Sequence, residues 1–556
     1  MTYLEEYANA VLSGEIAACH RIKQVYAHLL DKLKHPEKYK PWVFDEGRAN
    51  EAIEFIETFC KQAQGRNRGK PLKLELFQKA KHQAVFGFIH VETGERQYQE
   101  VLDIRGRKNG KTTELAADAN YMILGDGEGS PEVYFIATKL DQAKKGFSEA
   151  HKMIMQSDML KKYLRKRQSD IWCDMNFGTM QALASNSNSL DGLNGHFVVI
   201  DELAAIQKRD LYDLMKQSMS SRFQPLLNCI TTNGFVRNSI YDTQYAYAIK
   251  VLDSYEQGKV IDERFLPLIY ELDDQDEWDK ESCWIKANPG LGTIKSIDKL
   301  RGYVEKAKSD PAFKATVMVK DFNMTETSAS AWLTYKTLNN TTKFDLNKMA
   351  FRYCIGGFDG SDTTDLTNAK ALCMRPNDNH LYYVSMYWLP EETLIQRSNE
   401  DSAPYELWER QGYLRVSKGY KISFYDVLEW YKELRDVHDI YVLYIGYDPW
   451  HVDVSVLEAF KNEFGRDAMI PVRQGAKTLS SPMKSFKADL DAKLIVYNDN
   501  PIDKMCLANT EIKTDINNNI QPVKGLDVRK RIDGTIGFLN AYVVYGDKRD
   551  EYLTLI

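Results

Sequence analysis

The sequence predicts an α/β protein made of two successive domains, the first built on a mainly parallel sheet. Three observations predict it. Between about residues 71 and 320, short apolar runs alternate with segments of helical periodicity, as strands joined by crossover helices do. After the polar, small-residue stretch Thr325-Glu326-Thr327-Ser328-Ala329-Ser330 the alternation restarts. At 556 residues, the chain exceeds what one hydrophobic core supports.

Residues 1–70 read as a helical region, with Ala52, Ile53, Phe55, Ile56 and Phe59 at helical spacing before the loop-like Gln64-Gly65-Arg66-Asn67-Arg68-Gly69. In residues 71–325, strands are expected at 101–104, 133–137, 197–200 and 229–232, with helices after 112 and over 142–155. Residues 326–345 read as a linker. In residues 346–556, strands are expected at 353–358, 381–388 and 440–447. A helix follows near the C-terminus, carrying Ile536, Phe538, Leu539 and Ala541.

Composition narrows the function classes. A hydrophobic content of 43% suits well-packed domains. No run approaches the roughly 18 apolar residues of a membrane span, and Met1-Thr2-Tyr3-Leu4-Glu5-Glu6 lacks a signal-peptide pattern, so a cytosolic protein is expected. The eight cysteines contain no C-x-x-C pair, which argues against a zinc site or a disulfide framework. A net charge of −6 supplies no bulk attraction for nucleic acid. Residues 161–167 and 524–531 are basic, but each alone reads as a solvated face.

Two segments describe a nucleotide triphosphate site. Arg107-Lys108-Asn109-Gly110-Lys111-Thr112 follows a short strand and precedes a helix, which puts backbone N–H groups, the Lys111 ammonium and the Thr112 hydroxyl at the phosphates and Mg²⁺. Arg105 stands where the usual P-loop pattern has its first glycine, so the motif is a deviant one. Phe197-Val198-Val199-Ile200-Asp201-Glu202 is an apolar strand ending in two acids, Asp201 for the Mg²⁺ shell and Glu202 to orient or deprotonate the attacking water. The next strand ends at Thr231-Thr232-Asn233-Gly234, polar residues placed to sense the γ-phosphate. Asp103, inside the strand before the P-loop, is an uncomfortable residue there.

The second domain carries an acidic constellation. Asp359 and Asp448 each end a strand, and Asp533 opens the late helix, with Asp365 a further candidate. Carboxylates from separate elements that converge on two Mg²⁺ or Mn²⁺ ions are what a ribonuclease H-like nuclease requires.

Taken in order, these segments resemble the large subunit of the DNA-packaging terminase of tailed bacteriophages, over most of the chain. Leu74-Glu75-Leu76-Phe77-Gln78 resembles the family's adenine-recognition segment, with Gln78 reading the base. Arg107 to Thr112 is similar to its deviant P-loop, Leu190-Asp191-Gly192 leading into Asp201-Glu202 to its Walker B region, and Thr231-Thr232-Asn233 to its coupling motif. Asp359, Asp448 and Asp533 fall at its nuclease metal positions. The resemblance implies a P-loop ATPase domain followed by a ribonuclease H-like nuclease domain, using ATP with Mg²⁺ and two further divalent ions. It implies a transition-state arginine, for which Arg107 and Arg222 are the candidates, supplied in cis or by a neighbour. It implies double-stranded DNA, a small terminase subunit and the capsid portal as partners, a homo-oligomeric ring, no membrane, and work in the host cytoplasm docked on the procapsid. The rival reading is a helicase-like DNA translocase fused to a repair nuclease, which calls for further helicase motifs that the sequence does not display.

Overall fold

A computed structural model describes the chain except for residues 66, 185–189, 191, 207–208, 235–238, 327–330, 361–365, 402, 451 and 526–529. Asp191, Asp365, His451 and the polar stretch 327–330 therefore lie outside the described residues. The chain forms two compact units, Met1–Thr325 and Glu326–Ile556.

In the first unit, β1 (Glu100–Ile104), β2 (Glu132–Ala137), β3 (Leu164–Lys166), β4 (Asp170–Cys173), β5 (Thr179–Ala184), β6 (Phe197–Asp201), β7 (Leu226–Thr231) and β8 (Phe265–Ile269) form an eight-stranded sheet. Its order is β8-β1-β7-β6-β2-β5-β4-β3, parallel from β8 to β5, with β4 and β3 antiparallel at the edge. The inner strands are near-continuous apolar runs because helices cover both faces. The basic residues Arg165 and Lys166 sit on the outermost strand, where charge blunts an open edge. Helices α1 (Tyr3–Ser13), α2 (His20–Lys34), α3 (Glu46–Phe59) and α4 (Leu76–Gly87) share one hydrophobic core with this sheet. Two further helices matter for the site: α5 (Lys111–Leu124), which follows β1, and α6 (Leu140–Gln156), which follows β2. After β8 the chain forms α7 (Ile297–Ser309) and α8 (Pro311–Asp321), packed around their own apolar cluster of Trp284, Leu300, Val304, Val317 and Phe322.

The second unit contains β9 (Tyr353–Asp359), β10 (Thr367–Arg375), β11 (Asp378–Pro390), β12 (Leu414–Ser417), β13 (Tyr441–Tyr447), β14 (Met469–Pro471) and β15 (Ile495–Val496) in a seven-stranded mixed sheet. β9, β10 and β11 form an antiparallel meander, and β13 lies parallel to β9 on the meander's other side. The long helix α9 (Asp533–Leu555) lies across β9, β10 and β13. Glycines permit that crossing: a methyl group on Gly357 of β9 would overlap the backbone of Ala541, and one on Gly446 of β13 the carbonyl of Asn540.

Candidate active sites

The residues expected to bind nucleotide lie at the carboxyl ends of the parallel strands. Gly110, at φ +81°, turns the chain from the loop into α5 in a left-handed conformation that suits glycine, and Lys108 is also left-handed at φ +66°. The Lys111 ammonium folds back to donate to Arg105 O at 2.5 Å and Gly106 O at 3.3 Å. Burial first, then Arg105, lowers its pKa to about 7, against the pull of Asp103, Glu202 and Asp201. Thr112 follows in the first turn of α5. Asn109 is fully buried, and its side chain is taken up by its neighbours: its Nδ2 donates to Gly106 O and Asn288 Oδ1, while its Oδ1 accepts from Gly290 N.

β7 lies between β1 and β6, so the Thr231-Thr232-Asn233 tip separates Lys111 from the two acids. Burial and the neighbouring Glu202 carboxylate push the Asp201 pKa up to about 6, with Lys111 pulling the other way; Gln142 Nε2 donates to its Oδ2 at 3.4 Å. Glu202 is a left-handed non-glycine residue at φ +61°, a conformation that needs support from its surroundings. Some of that support comes from Thr231, whose Oγ1 accepts from Ala204 N at 3.1 Å.

Asp103 is explained by its neighbours. It accepts two bonds from Arg105, each at 2.7 Å, and one from Lys81 at 2.8 Å. Glu114 of α5 pairs with the same two cations at 2.9 Å. Burial would raise the pKa of Asp103, but Arg105 and Lys81 more than reverse it and leave it lowered. Gln78 joins this group: its Nε2 donates to Glu114 at 2.9 Å, and its Oε1 accepts from Glu75 N as part of a capping box. Beside it a cavity of about 170 Å³ is lined by Leu76, Phe77, Tyr270, Leu291 and Thr293. Among the described residues, only His82, Glu114 and Asp118 bring three potential ligand atoms within 4.8 Å of one another. The His82 ring nitrogens are engaged by Gln78 O and by Asp118.

The two arginines are placed differently. Arg107 stands in the phosphate loop, paired with Asp321 through Nη2 at 2.8 Å. Arg222 precedes β7, at the amino end of the strands, where Asn194 O, Gly129 O, Ser130 O and Glu128 take up its guanidinium. The fold does not bring it to Lys111.

In the second unit, Phe358 of β9 is in register with Tyr447 of β13, so Asp359 and Asp448 end adjacent parallel strands. Asp533 is the first residue of the helix packed across those strands. Asn540, two turns on, donates its Nδ2 to Phe358 O at 2.8 Å and fixes the helix against the β9 end. Asp448 and Asp533 are buried, and Asp448 Oδ1 accepts from Trp450 N at 3.1 Å. The donor set is all oxygen from three elements, a chemistry that suits hard divalent cations, but the three carboxyls do not each bring an oxygen within 4.8 Å of the others.

Three partners escape the sequence reading. Asn368, fully buried, lies directly across the antiparallel ladder from Asp359. Two residues along the same face, Lys370 is buried against Asp503 and donates to Tyr387 Oη at 2.8 Å. In the first unit, Lys320 of α8 reaches the Glu202 carboxylate. No spacing signal marks any of them, because each meets its partner only through tertiary packing. The basic stretch near 530 carries no free cluster among its described residues: Arg531 is buried on Asp401, and Lys530 pairs with Glu511.

A parallel-sheet ATPase site in one unit and a strand-end carboxylate set in the next define a nucleotide-driven machine that carries its own nuclease. Comparison with known proteins makes this specific. The family model "Terminase large subunit, endonuclease domain" matches residues 259–546, and "Terminase large subunit, ATPase domain" matches residues 76–250. The chain is 24% identical to "Terminase, large subunit" of Enterobacteria phage HK97 over 508 residues, covering 88% of this chain and 94% of that one. It is 26% identical to "Protein YmfN" of Escherichia coli (strain K12) over 365 residues, covering 63% of this chain and 77% of that one. The crystal structure of the HK97 bacteriophage large terminase matches with a TM-score of 0.45 at 22% identity, over 89% of this chain and 99% of that one. The chain belongs to the terminase large subunit family. It is an ATPase and DNA endonuclease of viral DNA packaging, using nucleotide and divalent metal. No helix among the described residues is long and apolar enough to cross a membrane. The endonuclease match begins at residue 259, yet residues 259–325 pack into the first unit, where β8 pairs with β1 and the end of α8 meets the P-loop.

Proposed function

We propose that residues 71–325 form the packaging motor's ATPase domain, that 326–345 link it onward, and that 346–556 form the nuclease. The observation that carries the motor reading is the strand order, with β7 between the P-loop strand and the Asp201-Glu202 strand. Lys111 and the backbone N–H groups of Lys108 to Gly110 hold the phosphates, and Thr112 and Asp201 hold Mg²⁺. Bound there, Mg²⁺ would neutralise charge on the β- and γ-oxygens. Glu202 orients and deprotonates the attacking water. Arg107, at the phosphate loop, is the arginine better placed to act in cis, while Arg222 would need a neighbouring subunit. The adenine lodges in the cavity between Leu76-Phe77 and Leu291, with Gln78 freed from Glu114 to read its edge. Thr231 and Thr232, beside the γ-phosphate position, pass its state onward.

In the nuclease, Asp359, Asp448 and Asp533 hold two Mg²⁺ or Mn²⁺ ions, which would activate water and stabilise the leaving oxygen. A small terminase subunit, the capsid portal and further copies in a ring complete the machine on the procapsid, in the host cytoplasm.

The test is plasmid cleavage with Mg²⁺ or Mn²⁺ and ATP turnover, measured on the same preparations. Asp359→Ala is expected to lose cleavage and keep turnover, and Lys111→Ala to lose turnover and keep cleavage. Unchanged cleavage by Asp359→Ala would remove the nuclease assignment. Wild-type turnover by Glu202→Gln would remove Glu202 as the group acting on water.

A further inference from the structure

Lys320 stands in the last turn of α8, and its ammonium donates to three acceptors at once: Glu202 Oε1 at 3.2 Å, Thr232 Oγ1 at 3.2 Å and Asn233 O at 3.1 Å. An ammonium has three protons, so this geometry uses all of them. The residues around Lys320 extend the grip. Its own carbonyl accepts from Arg107 N at 2.8 Å, and Asp321 pairs with the Arg107 guanidinium. Asn323 accepts from Asn233 N at 3.0 Å through Oδ1 and from Asn233 Nδ2 at 3.0 Å through its carbonyl. One short segment thus touches the phosphate loop, the acid expected to act on water, and the strand tip between them.

The pair is exchangeable. The side chains of Lys320 and Glu202 are 27% and 35% exposed, so their attraction is screened and weak. A γ-phosphate offers the ammonium more negative charge and several acceptor oxygens in place of one carboxylate oxygen. We propose that Lys320 is a γ-phosphate-responsive latch. In the nucleotide-free state it restrains the Glu202 carboxylate and the Thr232-Asn233 tip. When ATP binds, its ammonium moves to the γ-phosphate, Glu202 is released to the water, and α8 shifts with the lysine. ADP, lacking the γ-phosphate, leaves the latch closed. The proposal rests on the reading that the phosphates sit at Lys111 and that Glu202 serves the water.

The experiment uses the full chain and measures affinity for ADP and for a non-hydrolysable ATP analogue in Mg²⁺, with kcat and KM for ATP. Lys320→Ala is expected to weaken the ATP analogue by about tenfold and leave ADP within about twofold, because only one charge-assisted contact is removed. Lys320→Arg, which keeps the charge, is expected to retain most of the preference for the analogue over ADP. Glu202→Gln, which frees the ammonium, is expected to tighten the analogue, and Glu202→Gln with Lys320→Ala to lose that gain. Equal weakening of both nucleotides by Lys320→Ala would overturn the latch, as would a gain that persists in the double variant. Wild-type turnover by Glu202→Gln would instead remove the role of Glu202 in hydrolysis; the ATP-analogue to ADP ratio remains the measure of Lys320.

Discussion

Asp103 illustrates what single residues do here. Its carboxylate is fully buried and held by Arg105 and Lys81, which also serve Glu114, so the group has two charges of each sign. Asp103→Ala would leave buried cations short of a partner, and a loss of about 3–5 kcal/mol is expected. Urea unfolding followed in the first unit measures it, and a loss below about 1 kcal/mol would show that water reaches the group. In the sequence, Asp103 reads as a misfit in a strand, because Lys81 comes from a different helix and Glu114 from beyond the P-loop. Lys111 and Thr112 have a local signature because strand, loop and helix N-terminus are adjacent in the chain, and Asp201 and Glu202 because they end an apolar strand. Lys320 and Asn368 were not legible, since neither has a motif around it.

At the scale of elements, the crossing of α9 over β9 and β13 depends on the absence of side chains at Gly357 and Gly446. Gly357→Ala is expected to destabilise the second unit by about 1–3 kcal/mol, the usual range for overpacking. It should lower DNA cleavage by displacing Asp533 from Asp359 and Asp448, while ATP turnover stays unchanged. Cleavage at the wild-type rate would mean that the helix register does not set the carboxylate geometry. Helix α2 carries a second test. Burial lowers the Lys32 pKa from 10.5 to about 7, only partly opposed by Glu263. Between those values the unfolded chain binds a proton that the folded chain does not, so this lysine makes stability rise with pH from about 7 towards 10.5, with its full penalty below that window. Lys32→Met is expected to flatten the dependence of urea midpoints between pH 7 and 10; an unchanged slope would assign it to other groups. Strands β1, β2, β6, β7, β9, β11 and β13 were legible from alternation, whereas the edge strands β3 and β8 and the strands β4, β5, β10, β12, β14 and β15 were not among those expected. The antiparallel meander was only partly legible: Pro376-Asn377, with Asn377 at φ +59°, is a hairpin-turn signal joining β10 to β11, but β10 itself is not among the expected strands.

For the whole molecule, each unit has its own apolar clusters, those around the parallel sheet and α7–α8 in one and those around the mixed sheet in the other. Calorimetry is expected to resolve two transitions, with ADP raising the midpoint of the first unit and Mn²⁺ that of the second, since a ligand stabilises only the part it binds. A single transition moved by both ligands would show that the units unfold as one. The division into two α/β parts was readable from length and from the restart of alternation. The same boundary, read at about residue 325 from the polar stretch there, puts residues 259–325 with the first unit, where their contacts lie, although the nuclease family model begins at 259.

The buried quartet of Lys81, Asp103, Arg105 and Glu114 also bears on how such a chain can change over generations. Its charges sum to zero only as a set, so a lineage that alters one position passes through a poorly folded ancestor unless a compensating change arrives with it. Libraries that randomise the P-loop singly are expected to return Arg105 almost unchanged, whereas libraries that vary all four positions together are expected to find new combinations.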